Sequence, residues 1–176
     1  MARKPRNDVY TLRGGLTIFP EHHQALELLL TNLVQKIPAR FVLLCDVSGQ
    51  LISSRGDTGR INLVALGSLV AGDLAASQEI ARLIGEYQDH QMILREGQTA
   101  HTFITEAGYY LALLVQVSSE VPLGWARMLI QEAARNLAEI MEQAPNQVKP
   151  TTPEPILAEE GLPDLFNDAL DELWLE

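Results

Sequence analysis

Residues 62–85 read NLVALGSLVAGDLAASQEIARLIG, and the way this stretch distributes its apolar side chains decides the fold. Stepping about 100° per residue from Leu63, as a helix does, Leu63, Leu66, Val70, Leu74, Ala81 and Ile84 form one stripe. Ala65, Leu69, Ala76, Ile80 and Leu83 form a second beside it, so that apolar side chains cover nearly half the circumference. A helix that only covers its own sheet needs a stripe of about 100° or a little more. The excess is explained either by deep burial within one chain or by a helix shared between two subunits. The small residues Gly67, Ala71 and Ala75, at i, i+4 and i+8, form a row where another backbone can approach closely. They favour the shared helix, in a two-fold contact where one patch serves both subunits. Gly85 is placed to end the helix as its C′ residue.

Outward from this helix the pattern alternates. Upstream, Leu26, Leu29, Leu30, Leu33, Val34 and Ile37 recur at helical spacing between Pro20 and Pro38 and predict a first helix over about 21–37. Phe41–Asp46 and Gln50–Ser54 read as a hairpin turned at Val47-Ser48-Gly49. Downstream, Gln91–Glu96, Thr99–Glu106 and Tyr109–Val117 read as three strands whose short connections, Gly97-Gln98 and Ala107-Gly108, force an antiparallel meander. A third amphipathic helix is expected from Leu123 to Glu142, with Ala126, Leu129, Ile130, Ala133, Leu137, Ile140 and Met141 on one stripe. The order is helix, two strands, helix, three strands, helix. Phe41–Cys45 and Leu111–Val115 are apolar on both alternating faces, which a sheet tolerates only when both sides are covered. The expected fold is an α/β (α+β) three-layer sandwich with a five-stranded antiparallel sheet between helices.

A chain of 176 residues with 47% hydrophobic and 20% charged residues accommodates one core with extensions. The expected organisation is a basic N-terminal arm over 1–19, a domain over 20–143, a proline-rich linker over 144–160 and an acidic amphipathic helix over 161–176. Lone Cys45 has no disulfide partner. The longest apolar stretches, around Leu63–Gly72 and Tyr109–Val115, are shorter than the roughly 20 residues of a membrane span, so integral insertion is not expected. Basic residues Arg3, Lys4 and Arg6 are not followed by the apolar run of a signal peptide, which makes the cytoplasm the expected location. The net charge of −10 is uneven: residues 1–13 hold four basic groups against one acidic, whereas residues 144–176 hold Lys149 against eight carboxylates. An acidic body repels phosphate backbones, which argues against nucleic-acid binding.

The search for catalytic chemistry returns little. A phosphate-cradling loop must end in Lys and Ser/Thr, and neither Lys4, Lys36 nor Lys149 follows a glycine-rich run. His22, His23, His90, His101 and Cys45 lack the spacing of a zinc site, and no Gly-x-Ser-x-Gly elbow exists. Cys45 is expected to pack as a small apolar residue, and Asp46 to shape the turn two residues before Ser48. The Arg55-Gly56-Asp57 tripeptide is read as coincidence. No cofactor or metal is expected.

The run ALGSLVAGDLAASQEIARLIGE (65–86), preceded by FVLLCDVSGQLISS (41–54) with Asp46 and Gly49 at the hairpin, resembles the roadblock/dynein-light-chain family over residues 20–143. Within that family it is similar to bacterial MglB-type regulators, stand-alone domains with tails. The resemblance implies a homodimer in which the central helices pair and the strands Gln91–Glu96 join two sheets into one. The resulting platform would bind a Ras-like small GTPase and shift its switch conformation without catalytic groups of its own. The interface residues then expected are Gly67, Leu69, Ala71 and Ala75 with Met92, Ile93 and Leu94. The partner-binding residues are Val64, Ser68, Ala71, Ala75 and Arg82. The basic arm and the long acidic tail depart from the family pattern. A small-molecule sensor of PAS or profilin-like shape is the alternative, because the same sandwich can enclose a ligand. In the tail, Leu162, Leu165, Phe166, Leu170, Leu173 and Trp174 align on one side of a helix, and Asp164, Asp168, Asp171 and Glu172 make the remainder acidic. So short a helix is marginal alone in water. It is expected to dock by its apolar side in a groove of a partner or of its own domain, with Leu165, Phe166, Leu170, Leu173 and Trp174 making contact.

Overall fold

Along residues 41–46 every side chain is buried, on both sides of the strand, and the same holds for residues 111–115. Two such strands need cover above and below, and they form the middle of the sheet. The computed structural model describes residues 9–13, 15–85 and 91–143. Its elements follow in the order β1 (Tyr10–Thr11), β2 (Thr17–Ile18), α1 (Pro20–Lys36), β3 (Ala39–Asp46), β4 (Leu51–Gly56), α2 (Leu63–Leu83), β5 (Met92–Glu96), β6 (Ala100–Ala107), β7 (Leu111–Ser118) and α3 (Leu123–Glu142). The main sheet has the spatial order β4-β3-β7-β6-β5, antiparallel throughout. β3 and β7 are central, and β4 and β5 are the edges.

The alternation of side chains along β3 and β7 divides the core in two. Val42 and Leu44 with Leu113, Val115 and Val117 face α1 and α3, which supply Leu26, Leu30 and Leu33 and Ala126, Ile130, Leu137 and Met141. Phe41, Leu43 and Cys45 with Ala112 and Leu114 face α2, which supplies Val70 and Leu74. The three-layer sandwich expected from the alternation of elements is therefore the observed fold, with two helices on one face and one on the other. α2 begins at Asn62, whose side chain accepts a hydrogen bond from the Ala65 amide, and ends before Gly85, which has the positive φ of +76°.

Two features differ from the sequence reading. Residues 9–19 were expected to belong to a charged arm, yet β1 and β2 form a small antiparallel hairpin. Its Leu12, Leu16 and Ile18 are buried in the core beside α1. Strands of two residues are too short to show a period, so only their burial identifies them. Second, α2 is, by length and composition, apolar enough to cross a membrane, although no uninterrupted apolar run predicted one. Its inner side covers Phe41, Leu43, Ile104 and Leu114, and a helix withdrawn into a bilayer would leave that half of the core bare. Residues 1–8, 14, 86–90 and 144–176 lie outside the described residues, and with them the linker and tail expectations, including Leu165, Phe166, Leu170, Leu173 and Trp174, and His90.

Candidate functional site

The site is a surface formed by α2 and β5. Of the two apolar stripes on α2, the first turns inward: Val70, Leu74 and Ala81 are buried, and Leu63 and Leu66 are half-buried. Ile84, assigned to this stripe, lies past the last turn and is exposed. The second turns outward. Leu69, Ile80 and Leu83 are between 59% and 75% exposed, with Ala65 and Ala76 exposed among them, and Val64 is exposed on the other flank of the helix. Scattered exposed leucines are ordinary, but a row of large aliphatic residues along the length of one helix is the mark of an association surface.

β5 lies beside this row. It pairs with β6 through Met92↔Thr105, Ile93↔Ile104 and Leu94↔Phe103, and it ends the sheet. Ile93 is half-buried on the α2 side, Met92 is half-buried on the α3 side, and Leu94 is exposed. Arg95 ties the strand to the helix: its guanidinium Nη2 donates to both carboxylate oxygens of Asp73 at 2.8 Å. This clamp holds the open edge of the sheet next to the apolar row of α2. The sequence reading missed it, though Asp73 was visible as a solitary charge between Gly72 and Leu74.

The small-residue row has a different role at its first member. An added Cβ on Gly67 would sit 2.6 Å from the carbonyl oxygen of Gly49, so the backbone that approaches Gly67 is that of the β3–β4 turn in the same chain. Gly67 is buried there and is not offered to a second subunit. Ala71 is half-buried, whereas Ala75, Val64 and Ser68 are exposed on α2. Exposed Arg82 donates to Glu79 at 2.7 Å, one turn back on the same helix.

The β3–β4 turn is built by Asp46, which is fully buried. Its Oδ1 accepts from the Ser48 amide at 3.0 Å, the Ser48 hydroxyl at 2.6 Å and the Gln50 amide at 2.8 Å. That is the turn-shaping role read from the sequence. Cys45 lies against Gly67 and Ala112, and its burial, with the neighbouring Asp46 carboxylate, pushes the thiol up to about 12. A thiol held protonated at neutral pH is no nucleophile. Among the described residues no cluster of His, Cys, Asp and Glu could hold a metal. His22 sets its ring edge-on to Phe19, centroids 5.5 Å apart. On the far face of the sheet an open groove of about 260 Å³ runs between β5 and α3, lined by Met92, Leu94, Phe103, Leu123, Gly124 and Arg127. Among the described residues its lining holds one charged side chain, Arg127, and no convergent set of polar groups of the kind a small-molecule sensor needs.

The fold has known counterparts. The model of the Roadblock/LC7 domain family matches residues 25–117. MglB of Myxococcus xanthus is 34% identical with a TM-score of 0.63, over 68% of this chain and 97% of that one. The gliding protein MglB of Thermus thermophilus is 26% identical with a TM-score of 0.64, over 80% and 99%. An MglB structure with a tetrameric arrangement is 25% identical with a TM-score of 0.63, over 79% and 97%. No curated protein gives a match.

Proposed function

Because the chain belongs to the Roadblock/LC7 family, we propose that it is a cytoplasmic homodimeric regulator that binds a Ras-like small GTPase and alters its nucleotide state or its location. One observation carries this reading: an exposed aliphatic row on α2, clamped by Asp73 and Arg95 beside β5, which among the described residues pairs with β6 alone. An exposed edge strand and an exposed apolar helix face are both liabilities in a monomer. A two-fold axis near β5 removes both, since β5 can pair with its own copy and the two α2 helices can pack side by side. Leu69, Ala71 and Ala75 with Met92, Ile93 and Leu94 supply this contact.

The paired helices then present Val64, Ser68, Ala71, Ala75 and Arg82 to the GTPase. The dimer acts by preferring one switch conformation, and it can shift that equilibrium only by as much as its affinities for the two states differ. Such a regulator needs no acid, base or nucleophile, in keeping with the buried, protonated Cys45 and the structural engagement of Asp46.

Light scattering should give a particle of twice 19.5 kDa at micromolar concentration, and a Ras-like GTPase of the same cell should change its exchange or hydrolysis rate when the chain is added. A 19.5 kDa particle with no effect on any such GTPase would overturn the reading.

A further inference from the structure

The exposed row on α2 is not apolar throughout. Asp73 follows Leu69 by four residues and precedes Ile80 by seven, spacings that put its side chain on the same side of the helix. The row runs from Ala65 to Leu83, so its midpoint falls at Leu74, and the carboxylate stands beside the middle rather than at an end. β5 is built the same way: Leu94 is the central residue of the strand, and Arg95 follows it. The ion pair that joins the two elements therefore marks the centre of both. The Asp73 side chain is 23% exposed and that of Arg95 63%, so covering this surface takes a guanidinium out of water. A charge at the centre of a covered surface is costly unless it is also paired there.

Two-fold symmetry supplies such a pairing. An antiparallel contact of the row with its own copy overlaps fully only when the axis passes at the midpoint, which sets Ala65 of each copy against Leu83 of the other, small against large. The same axis brings the two Asp73–Arg95 pairs together. Each copy carries one carboxylate and one guanidinium there, an arrangement that is complementary to itself after rotation by 180°. We propose that the two clamps meet at the axis of the homodimer as a cluster of two carboxylates and two guanidiniums, and that this cluster makes the surface select a second copy of the same chain. A guanidinium has five N–H donors, and Nη2 serves the carboxylate of its own chain. The donors on Nη1 and Nε reach the carboxylate of the second copy. An apolar helix of another protein, without charges at this place, would bury the clamp against nothing complementary, and the desolvation cost would oppose its binding. The inference rests on the homodimer reading above, and adds to it where the axis lies and what excludes other occupants.

Charge reversal in the full chain is the test. Arg95→Asp leaves two carboxylates at the centre of each copy, and Asp73→Arg leaves two guanidiniums. Each variant alone should bind itself about a hundredfold more weakly than the unaltered chain, because four like charges meet at the axis. Light scattering should then fall toward the chain mass of 19.5 kDa, while circular dichroism shows both variants folded. An equimolar mixture of the two should return to twice that mass, as a mixed dimer in which opposite charges face each other. The double variant Asp73→Arg/Arg95→Asp, with the charges exchanged, should pair with itself again, which separates lost association from lost folding. Self-association of the single variants as tight as that of the unaltered chain, or a mixture no more associated than its components, would overturn the proposal and leave the homodimer standing. An unaltered chain that scatters at 19.5 kDa would overturn the homodimer, and this inference with it.

Discussion

At Gly67 a single hydrogen in place of a side chain sets the distance between two layers. The carbonyl of Gly49 lies where a Cβ would be, and Gly49, at φ +86°, has its own missing Cβ aimed 2.6 Å from the Cα of Ser68. Backbone faces backbone on both sides, so neither contact is relieved by moving a flexible side chain. Gly67→Ala should therefore lower the unfolding free energy by about 2–4 kcal/mol, read as a shift in the urea midpoint. Gly72→Ala on the same helix should be neutral or stabilising by up to about 1 kcal/mol, because nothing lies within 4 Å of its added Cβ. Cys45, a few ångströms away, gives a pH signature. Its thiol is raised from an ordinary 9.0 to about 12 by burial and then by Asp46. The folded state thus holds this proton more tightly than the unfolded state. The associated stability is complete below about pH 9 and is lost as the pH rises toward 12. Between pH 9 and 11 the wild-type chain should lose more stability than Cys45→Ala, and at pH 8 the thiol should react with a disulfide reagent only as fast as the protein unfolds. His23 has the opposite sign. Desolvation, followed by the charge of Arg55, lowers its pKa, so its contribution is present above pH 6.5 and declines as the pH falls below it.

α2 is one element with two faces, and substitutions should separate them. Leu74 is buried against the sheet, so Leu74→Ala should cost about 2–5 kcal/mol of folding stability. Leu69 is 70% exposed, and Leu69→Asp should leave the melting temperature of the dissociated chain within a few degrees while moving light scattering from twice the chain mass to 19.5 kDa. If both variants unfold the protein alike, α2 is only a core helix. Asn62→Ala should remove the cap on the Ala65 amide and cost about 1 kcal/mol. At the opposite edge of the sheet, Glu27 on α1 pairs with Arg55 and accepts from the Ser53 hydroxyl, so β4 is tied to α1 as β5 is tied to α2. The helices were legible in sequence because a period of 3.6 persists over about twenty positions in each. The Asp73–Arg95 clamp was not, since its two partners are 22 residues apart and no local pattern links them.

For the whole molecule, charge and core are segregated along the chain. Among the described residues the buried side chains lie between Leu12 and Met141, whereas residues 144–176 carry eight carboxylates against Lys149. Removing residues 157–176 should leave the midpoint of urea unfolding nearly unchanged, because the core formed between Leu12 and Met141 is closed without them. A large fall in the midpoint would place the tail in the core.

The three-layer architecture was readable from the residues alone: two strands apolar on both faces demand two layers of cover, and the three long helical periods between residues 21 and 142 supply it. The surplus apolar stripe on α2 and the turn-forming place of Asp46 were equally local, set by spacing within a few residues. Tertiary structure decided which stripe faces inward and that Gly67 serves the β3–β4 turn rather than a second subunit. It also decided that β1 and β2 join the core, and that Arg95 of the edge strand β5 meets Asp73 of α2. These depend on which segments meet in space. Hydrophobic burial is non-directional and does not announce its partner in the pattern of either segment.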